Sequence, residues 1–241
     1  MGPKFVLGPN LSRFVLNYID PYIYIDRWSS QPFNGQNSRY RQIVLISEFF
    51  KPTVAIETGT YLGTSTPALA KLVSRQAYTI EFVKSFAEKS KKRFNSRFNS
   101  LNITLLQGDS ALLMKGILDK LDPDTEGVLA YLDAHWEKEI PTRNELTALA
   151  SWGGNWVAII DDFKVPGDPS YGFDQYGEIA VDLTLIPNSQ GIQIFVPKIS
   201  AETETGAKKG TAYVFGSRYT NLELVDKFPD LRKIEPLKSR L

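Results

Sequence analysis

The sequence predicts an α/β fold in which one mostly parallel, doubly wound sheet carries helices on both faces. Three observations predict it. Short, near-continuous apolar runs alternate with longer segments whose apolar residues recur at helical spacing. Runs of that kind mark strands covered on both sides, as in a parallel sheet between helix layers. Five of them in succession are followed by an acid, at the strand ends where open α/β sheets bind ligands.

The elements follow in order. The first fifty residues are aromatic-rich and irregular, with Phe14, Tyr18, Tyr22, Tyr24, Trp28, Phe33 and Tyr40. We expect residues 1–50 to form an N-terminal cap or lid, ending in a short helix from Gln42 to Phe50, and residues 51–241 to form the main domain. Val54-Ala55-Ile56 reads as the first strand, and the helix after it has Pro67 in its first turn, where a missing N–H costs nothing. Ala77–Ile80 is the second strand. Val83, Phe86, Ala87, Phe94 and Phe98 then share one helical face, with lysines and an arginine on the rest. Ile103–Leu106 is the third strand, followed by a helix from Ala111 to Leu121. Val128–Leu132 and Trp156–Ile160 are the fourth and fifth strands, with a helix from Arg143 to Ser151 between them. Ile192–Val196 and Thr211–Phe215 suggest a closing antiparallel pair, for seven strands in all. The polar loop Ser200–Lys209 is expected to be exposed. The long loop 165–178 offers Tyr171, Phe173 and Tyr176 either to an acceptor molecule or to its own packing.

Composition narrows the function. In 241 residues, 28 Lys+Arg balance 27 Asp+Glu, and 42% of residues are apolar. A net charge of +1 gives no global electrostatic case for nucleic acid or an anionic membrane. No apolar run is long enough for a membrane span, and no secretory signal is recognisable, so a cytoplasmic protein is expected. The absence of cysteine excludes disulfides, thiolate metal sites and cysteine nucleophiles. A single histidine excludes sites that need several imidazoles, including the usual non-haem iron arrangement.

The acids after the strands are Glu57, Glu81, Asp109, Asp133 (with His135) and Asp161-Asp162. Glu57–Ser65 contains Gly59 and Gly63, which allow a ligand close to the backbone beside a helix N-terminus. It matches neither a dinucleotide fingerprint nor a P-loop. Glu81 is placed to accept hydrogen bonds from two ribose hydroxyls, and Asp109 to receive an adenine amine. Any one of these acids alone is more often an ordinary turn or cap residue; together they outline an adenosine pocket. Adjacent strand ends lie about 5 Å apart, so Asp133, Asp161 and Asp162 converge and call for a cation or a proton. Oxygen ligands alone favour Mg2+ or another hard divalent cation. The pair Asp161-Asp162 also reads as a turn cap, and His135 as either a structural residue or a base.

Glu57-x-Gly59-x-x-x-Gly63, Ile80-Glu81 and Gly108-Asp109-Ser110, in that order, resemble the class I S-adenosylmethionine-dependent methyltransferases, from about Thr53 to Phe215. The resemblance implies a Rossmann-like sheet. It implies that Glu57, Gly59 and Gly63 hold the amino-acid part of the cofactor, Glu81 the ribose, and Asp109 with Ser110 the adenine side, with Ser65 and Asp133 also at the cofactor. Asp133, Asp161 and Asp162 also resemble the metal-binding acids of metal-dependent O-methyltransferases of the macrocin and catechol types, with His135 where a base is expected. Lys138 is out of register with the catechol-type lysine. The implied activity is S-adenosylmethionine-dependent O-methylation of a small-molecule hydroxyl, sugar or phenol, with a divalent metal. The alternative is a non-catalytic protein of the same fold that binds S-adenosylmethionine or S-adenosylhomocysteine. Neither nucleic acid nor membrane is an expected partner, and a homo-oligomer is compatible with both readings.

Overall fold

A computed structural model describes residues 31–135, 140–187, 191–216 and 224–236. The aromatic residues Phe14, Tyr18, Tyr22, Tyr24 and Trp28 of the expected cap, and Lys138, lie outside the described residues.

The described chain runs from a 3-10 turn at Pro32–Gly35 and helix α1 (Asn37–Phe50) into β1 (Val54–Thr58), α2 (Thr66–Ala70), β2 (Gln76–Glu81), α3 (Lys84–Arg97) and β3 (Ile103–Gln107). It continues through α4 (Ser110–Leu118), β4 (Gly127–Leu132), α5 (Thr142–Trp152) and β5 (Asn155–Ile160). A two-residue hairpin, β6 (Gln175–Tyr176) and β7 (Ile179–Ala180), precedes β8 (Gln193–Pro197), β9 (Ala212–Gly216) and β10 (Leu231–Ile234). The main sheet has eight strands in the order β10-β8-β9-β5-β4-β1-β2-β3.

Strands β1 to β5 pair in parallel, whereas β9 is antiparallel to both β5 and β8. The seventh-strand expectation is short by one. β10 adds to the edge beside β8, and of its four residues only Leu231 is buried, so no apolar run announces a strand. The expected helices are all present, with α1 reaching back to Asn37. Strands β1, β4 and β5 are buried almost throughout. One apolar cluster joins Ile56, Leu132 and Ile160 to Leu146 and Leu149 of α5, and the other joins Tyr131, Ile159 and Phe215 to Ile43 and Ile46 of α1. These are the two faces of the sheet, since neighbouring residues along each strand fall in opposite clusters. Helix α1 is therefore part of the core.

The loop 200–209 is exposed in part, at Ser200, Glu202, Thr203, Thr205 and Lys208, while Ala201 and Glu204 are buried and its other side packs against residues 34–39. Gln36 Nε2 donates to the Lys209 carbonyl (2.9 Å), the Lys209 N–H donates to Gln36 Oε1 (2.8 Å), and the Ala207 N–H donates to the Asn34 carbonyl (3.1 Å). Its polar composition serves both these bonds and water. Among the described residues, no helix is long and apolar enough to cross a membrane.

Candidate active site

The carboxyl ends of β1 to β5 open onto a cavity of about 940 Å³. That is the upper range of small-molecule sites. Its walls come from each expected strand end in turn.

Gly59 follows β1 at φ +80°, and a Cβ there would stand 2.1 Å from the Asp133 carbonyl oxygen. Only glycine allows the β1 turn to close over the β4 end. Glu81, at the end of β2, accepts from the Tyr61 N–H (2.7 Å) and the Val83 N–H (2.8 Å). A carboxylate has about four lone-pair sites, so Glu81 keeps acceptor capacity on the cavity it lines. Burial raises its pKa, against the pull of the Val83, Tyr61 and Phe82 backbone N–H groups. Asp109 caps α4 by accepting from the Ala111 N–H (2.9 Å), and with Ser110 it lines the same cavity. The exposed ring of Phe82 and the Tyr61–Phe86 ring pair complete this end.

Three residues expected around the cofactor support the turn from behind. Glu57 is buried and accepts hydrogen bonds from Thr66 and from Thr79 (2.6 Å). Burial pushes its pKa up to about 7. Gly63 packs against the Phe94 ring of α3. Ser65 Oγ accepts from the Phe33 N–H (3.0 Å), tying the N-terminal segment to the turn.

At the other end of the cavity the expected acids separate. Asp133 and Asp162 line the cavity with His135, and the three offer ligand atoms all within 4.8 Å of one another. Asp161 is not in that group. Its fully buried carboxylate makes an ion pair with Arg39, accepts from Tyr131 Oη (2.5 Å) and accepts from Asn34 Nδ2 (3.0 Å). The reason is the alternation of side chains along a strand and its continuation: consecutive residues Asp161 and Asp162 point to opposite sides, and Asp162 adopts a left-handed φ of 51°. The three acids expected to converge at adjacent strand ends become a pair at the cavity and one structural anion.

Lys209 and Asp174 are the site residues that the strand-end argument missed. Lys209 Nζ donates to Asp174 Oδ1 (2.6 Å) and lies 3.4 Å from Asp162 Oδ2. Asp174 also accepts from Tyr176 Oη (2.9 Å), while Tyr176 itself lines the cavity. Tyr171, in the same loop, is buried and donates to the Ile199 carbonyl. A signal for Lys209 existed. Strand β9 is antiparallel to β5 and its first residue, Ala212, pairs with Ile160, so residues before β9 belong at the end where residues after β5 lie.

The charges act on one another. Loss of hydration, then the charges of Asp161 and Asp162, raise the Asp133 pKa well above the usual carboxylate range. Burial and Asp161 push Asp162 up to about 7, against the pull of Lys209. Asp174 is held well below its ordinary range by His135, Lys209 and Tyr176. Burial would lower the His135 imidazole, but Asp174 and the nearby acids raise it overall.

A further buried acid, Glu145 on α5, is pushed up to about 7 by burial, against the pull of the Ser110 and Thr58 hydroxyls beside it. The folded chain then holds this proton to about pH 7, whereas the unfolded chain releases it near 4.5. Stability contributed by the neutral acid is complete below that lower value and falls as pH rises through the window. Glu145→Gln is expected to reduce the loss of stability between pH 5 and pH 8, read from urea midpoints. An unchanged loss would show that Glu145 does not titrate in this window.

No protein-family model matches the sequence, and no curated protein matches it. Solved structures do share the fold. An O-methyltransferase from Bacillus cereus, solved with S-adenosylhomocysteine, superposes with a TM-score of 0.53 at 12% identity, over 86% of this chain and 97% of that one. A protein from work on the conversion of a disulfide bond into a thioacetal group in echinomycin biosynthesis gives 0.52 at 15% identity, over 91% and 95%. A candidate O-methyltransferase from Klebsiella pneumoniae gives 0.51 at 13% identity, over 86% and 96%. The chain has the Rossmann-like methyltransferase fold.

Proposed function

We propose that this protein transfers the methyl group of S-adenosylmethionine to a hydroxyl of a small molecule, with a divalent metal at the acceptor end of the cavity. The observation that carries this reading is a single cavity, with Gly59, Glu81 and Asp109 along one side and Asp133, His135 and Asp162 at one end. The first group suits an adenosine with an amino-acid tail. The second suits an oxygen nucleophile beside a sulfonium.

In this reading Glu81 accepts from the ribose hydroxyls, Asp109 and Ser110 meet the adenine, and the exposed Phe82 ring covers a base face. Asp133, Asp162 and His135 fit a metal: His135 Nε2 and Asp162 Oδ1 are buried without a hydrogen-bond partner. A divalent ion at these residues would make a bound hydroxyl more acidic. Tyr176 narrows the acceptor end, and the enclosing walls hold sulfonium and hydroxyl in line, where orientation supplies much of the rate. The lone pair of His135 Nε2 can serve base catalysis or metal ligation, and its surroundings favour ligation, as argued below.

Glu81→Ala is expected to weaken S-adenosylmethionine binding by about 10- to 100-fold, since hydrogen bonds to a charged group contribute about 1.5–3 kcal/mol. Calorimetric titration checks it, with the thermal midpoint as the control for folding. Equal affinity in the variant would remove Glu81 from the cofactor site. Formation of S-adenosylhomocysteine with a hydroxyl acceptor separates an enzyme from a protein that only holds the cofactor.

A further inference from the structure

We propose that the ion taken by Asp133, His135 and Asp162 is a borderline transition metal such as Zn2+ or Co2+ rather than Mg2+, with His135 Nε2 as a ligand and Asp174 as the residue that orients it. This rests on the acceptor-end metal of the proposed function, but the argument comes from the surroundings of the imidazole.

His135 is the only histidine in the chain. Its side chain is 1% exposed, and its two nitrogens face different groups. Nδ1 lies 3.8 Å from Asp174 Oδ2, and Nε2 lies 3.9 Å from Asp133 Oδ1. Asp174 is fixed in turn by Lys209 and Tyr176. Neither imidazole separation is a hydrogen bond, but with a cation on Nε2 the Asp174 charge behind Nδ1 would keep the ring proton on that side. A carboxylate behind a metal-bound imidazole fixes the orientation of the ring and raises its basicity. The other nitrogen, Nε2, has no hydrogen-bond partner.

The carboxylates are arranged in the same sense. Lys209 sits 3.4 Å from Asp162 Oδ2, and Asp162 Oδ1 is buried without a partner. One oxygen of Asp162 is thus neutralised from behind and the other is left for a ligand. Two donors each about 2.1 Å from one ion lie within about 4.2 Å of each other, and the Nε2–Oδ1 separation of His135 and Asp133 is 3.9 Å. The donor set is therefore one nitrogen and two oxygens. Mg2+ prefers oxygen donors alone and keeps much of its water, whereas imidazole suits Zn2+, Co2+ and Fe2+. The sequence expectation of Mg2+ assumed that only oxygen was on offer. The competing description is an imidazolium with protons on both nitrogens, paired to Asp133 and Asp174, and the test separates the two.

Because His135 is the only imidazole, nitrogen NMR of the untagged full chain with labelled histidine reads this site alone. Equimolar Zn2+ is expected to shift Nε2 and leave Nδ1 protonated, while millimolar Mg2+ shifts neither. Asp174→Asn, at a partly exposed position, is expected to weaken Zn2+ binding by about 10- to 100-fold. A doubly protonated ring indifferent to Zn2+ overturns the proposal, as does calorimetric Zn2+ binding that leaves the imidazole signals in place. S-adenosylhomocysteine is titrated into the same sample. Binding of it without a metal response leaves the methyltransferase reading standing and removes only the metal assignment. A metal response without it does the reverse.

Discussion

Replacing Arg39 with methionine is expected to destabilise the protein by about 3–5 kcal/mol, because it leaves the Asp161 carboxylate buried and unpaired. Arg39 is itself almost fully buried. It pairs with Asp161, donates to Tyr131 Oη (3.1 Å) and donates to the backbone carbonyls of Lys209 (2.7 Å) and Gly210 (3.3 Å). One guanidinium therefore joins α1, the β4 and β5 ends and the loop that carries Lys209. Chemical denaturation measures the loss. The double variant Arg39→Met with Asp161→Leu is expected to recover much of it, since an apolar pair of similar volume often replaces a buried ion pair without cost. A single variant as stable as the wild type would mean that the pair contributes nothing to the fold.

Gly59→Ala is expected to abolish measurable cofactor binding and to cost about 2–5 kcal/mol of stability. The positive φ disfavours any L side chain by about 1–2 kcal/mol, and overpacking adds about 1–3. The overpacking is specific: the new methyl would meet the Asp133 carbonyl at 2.1 Å and the Ala134 nitrogen at 3.1 Å. Relief requires the β1 turn and the β4 end to part, and both line the cavity. Calorimetry with S-adenosylmethionine and a thermal melt report the two effects separately. Retained binding would mean that the turn moves without disturbing the cofactor site.

The five parallel strands and their helices were legible in the sequence because burial on both faces writes an unbroken apolar run, and because each run ends at the edge where ligands bind. Gly59, Glu81, Asp109, Asp133 and His135 reached the cavity through that rule alone. The rule failed where direction mattered. It took Asp161 and Asp162 as equivalent, yet side-chain alternation sends one to Arg39 and the other to the cavity. It looked only after strands, and so passed over Lys209, which precedes the antiparallel β9. Arg39 had no signal at all: it lies in a polar stretch of α1, and its partners are 92 to 171 residues away in sequence. The loop 200–209 was read as exposed from its composition, which holds for Ser200, Glu202, Thr203, Thr205 and Lys208 but not for the side that bonds to Gln36 and Asn34, which looks the same in sequence. β10 was missed because a four-residue edge strand has little apolar surface to announce it.

The central claim is that the cavity at the carboxyl ends of β1 to β4 holds S-adenosylmethionine. The most direct measurement is calorimetric titration of the full chain with S-adenosylhomocysteine, repeated for Glu81→Ala. The account predicts one site per chain in the wild type, with binding weakened about 10- to 100-fold in the variant. No binding to the folded wild-type protein would contradict it and leave the methyltransferase fold serving another ligand.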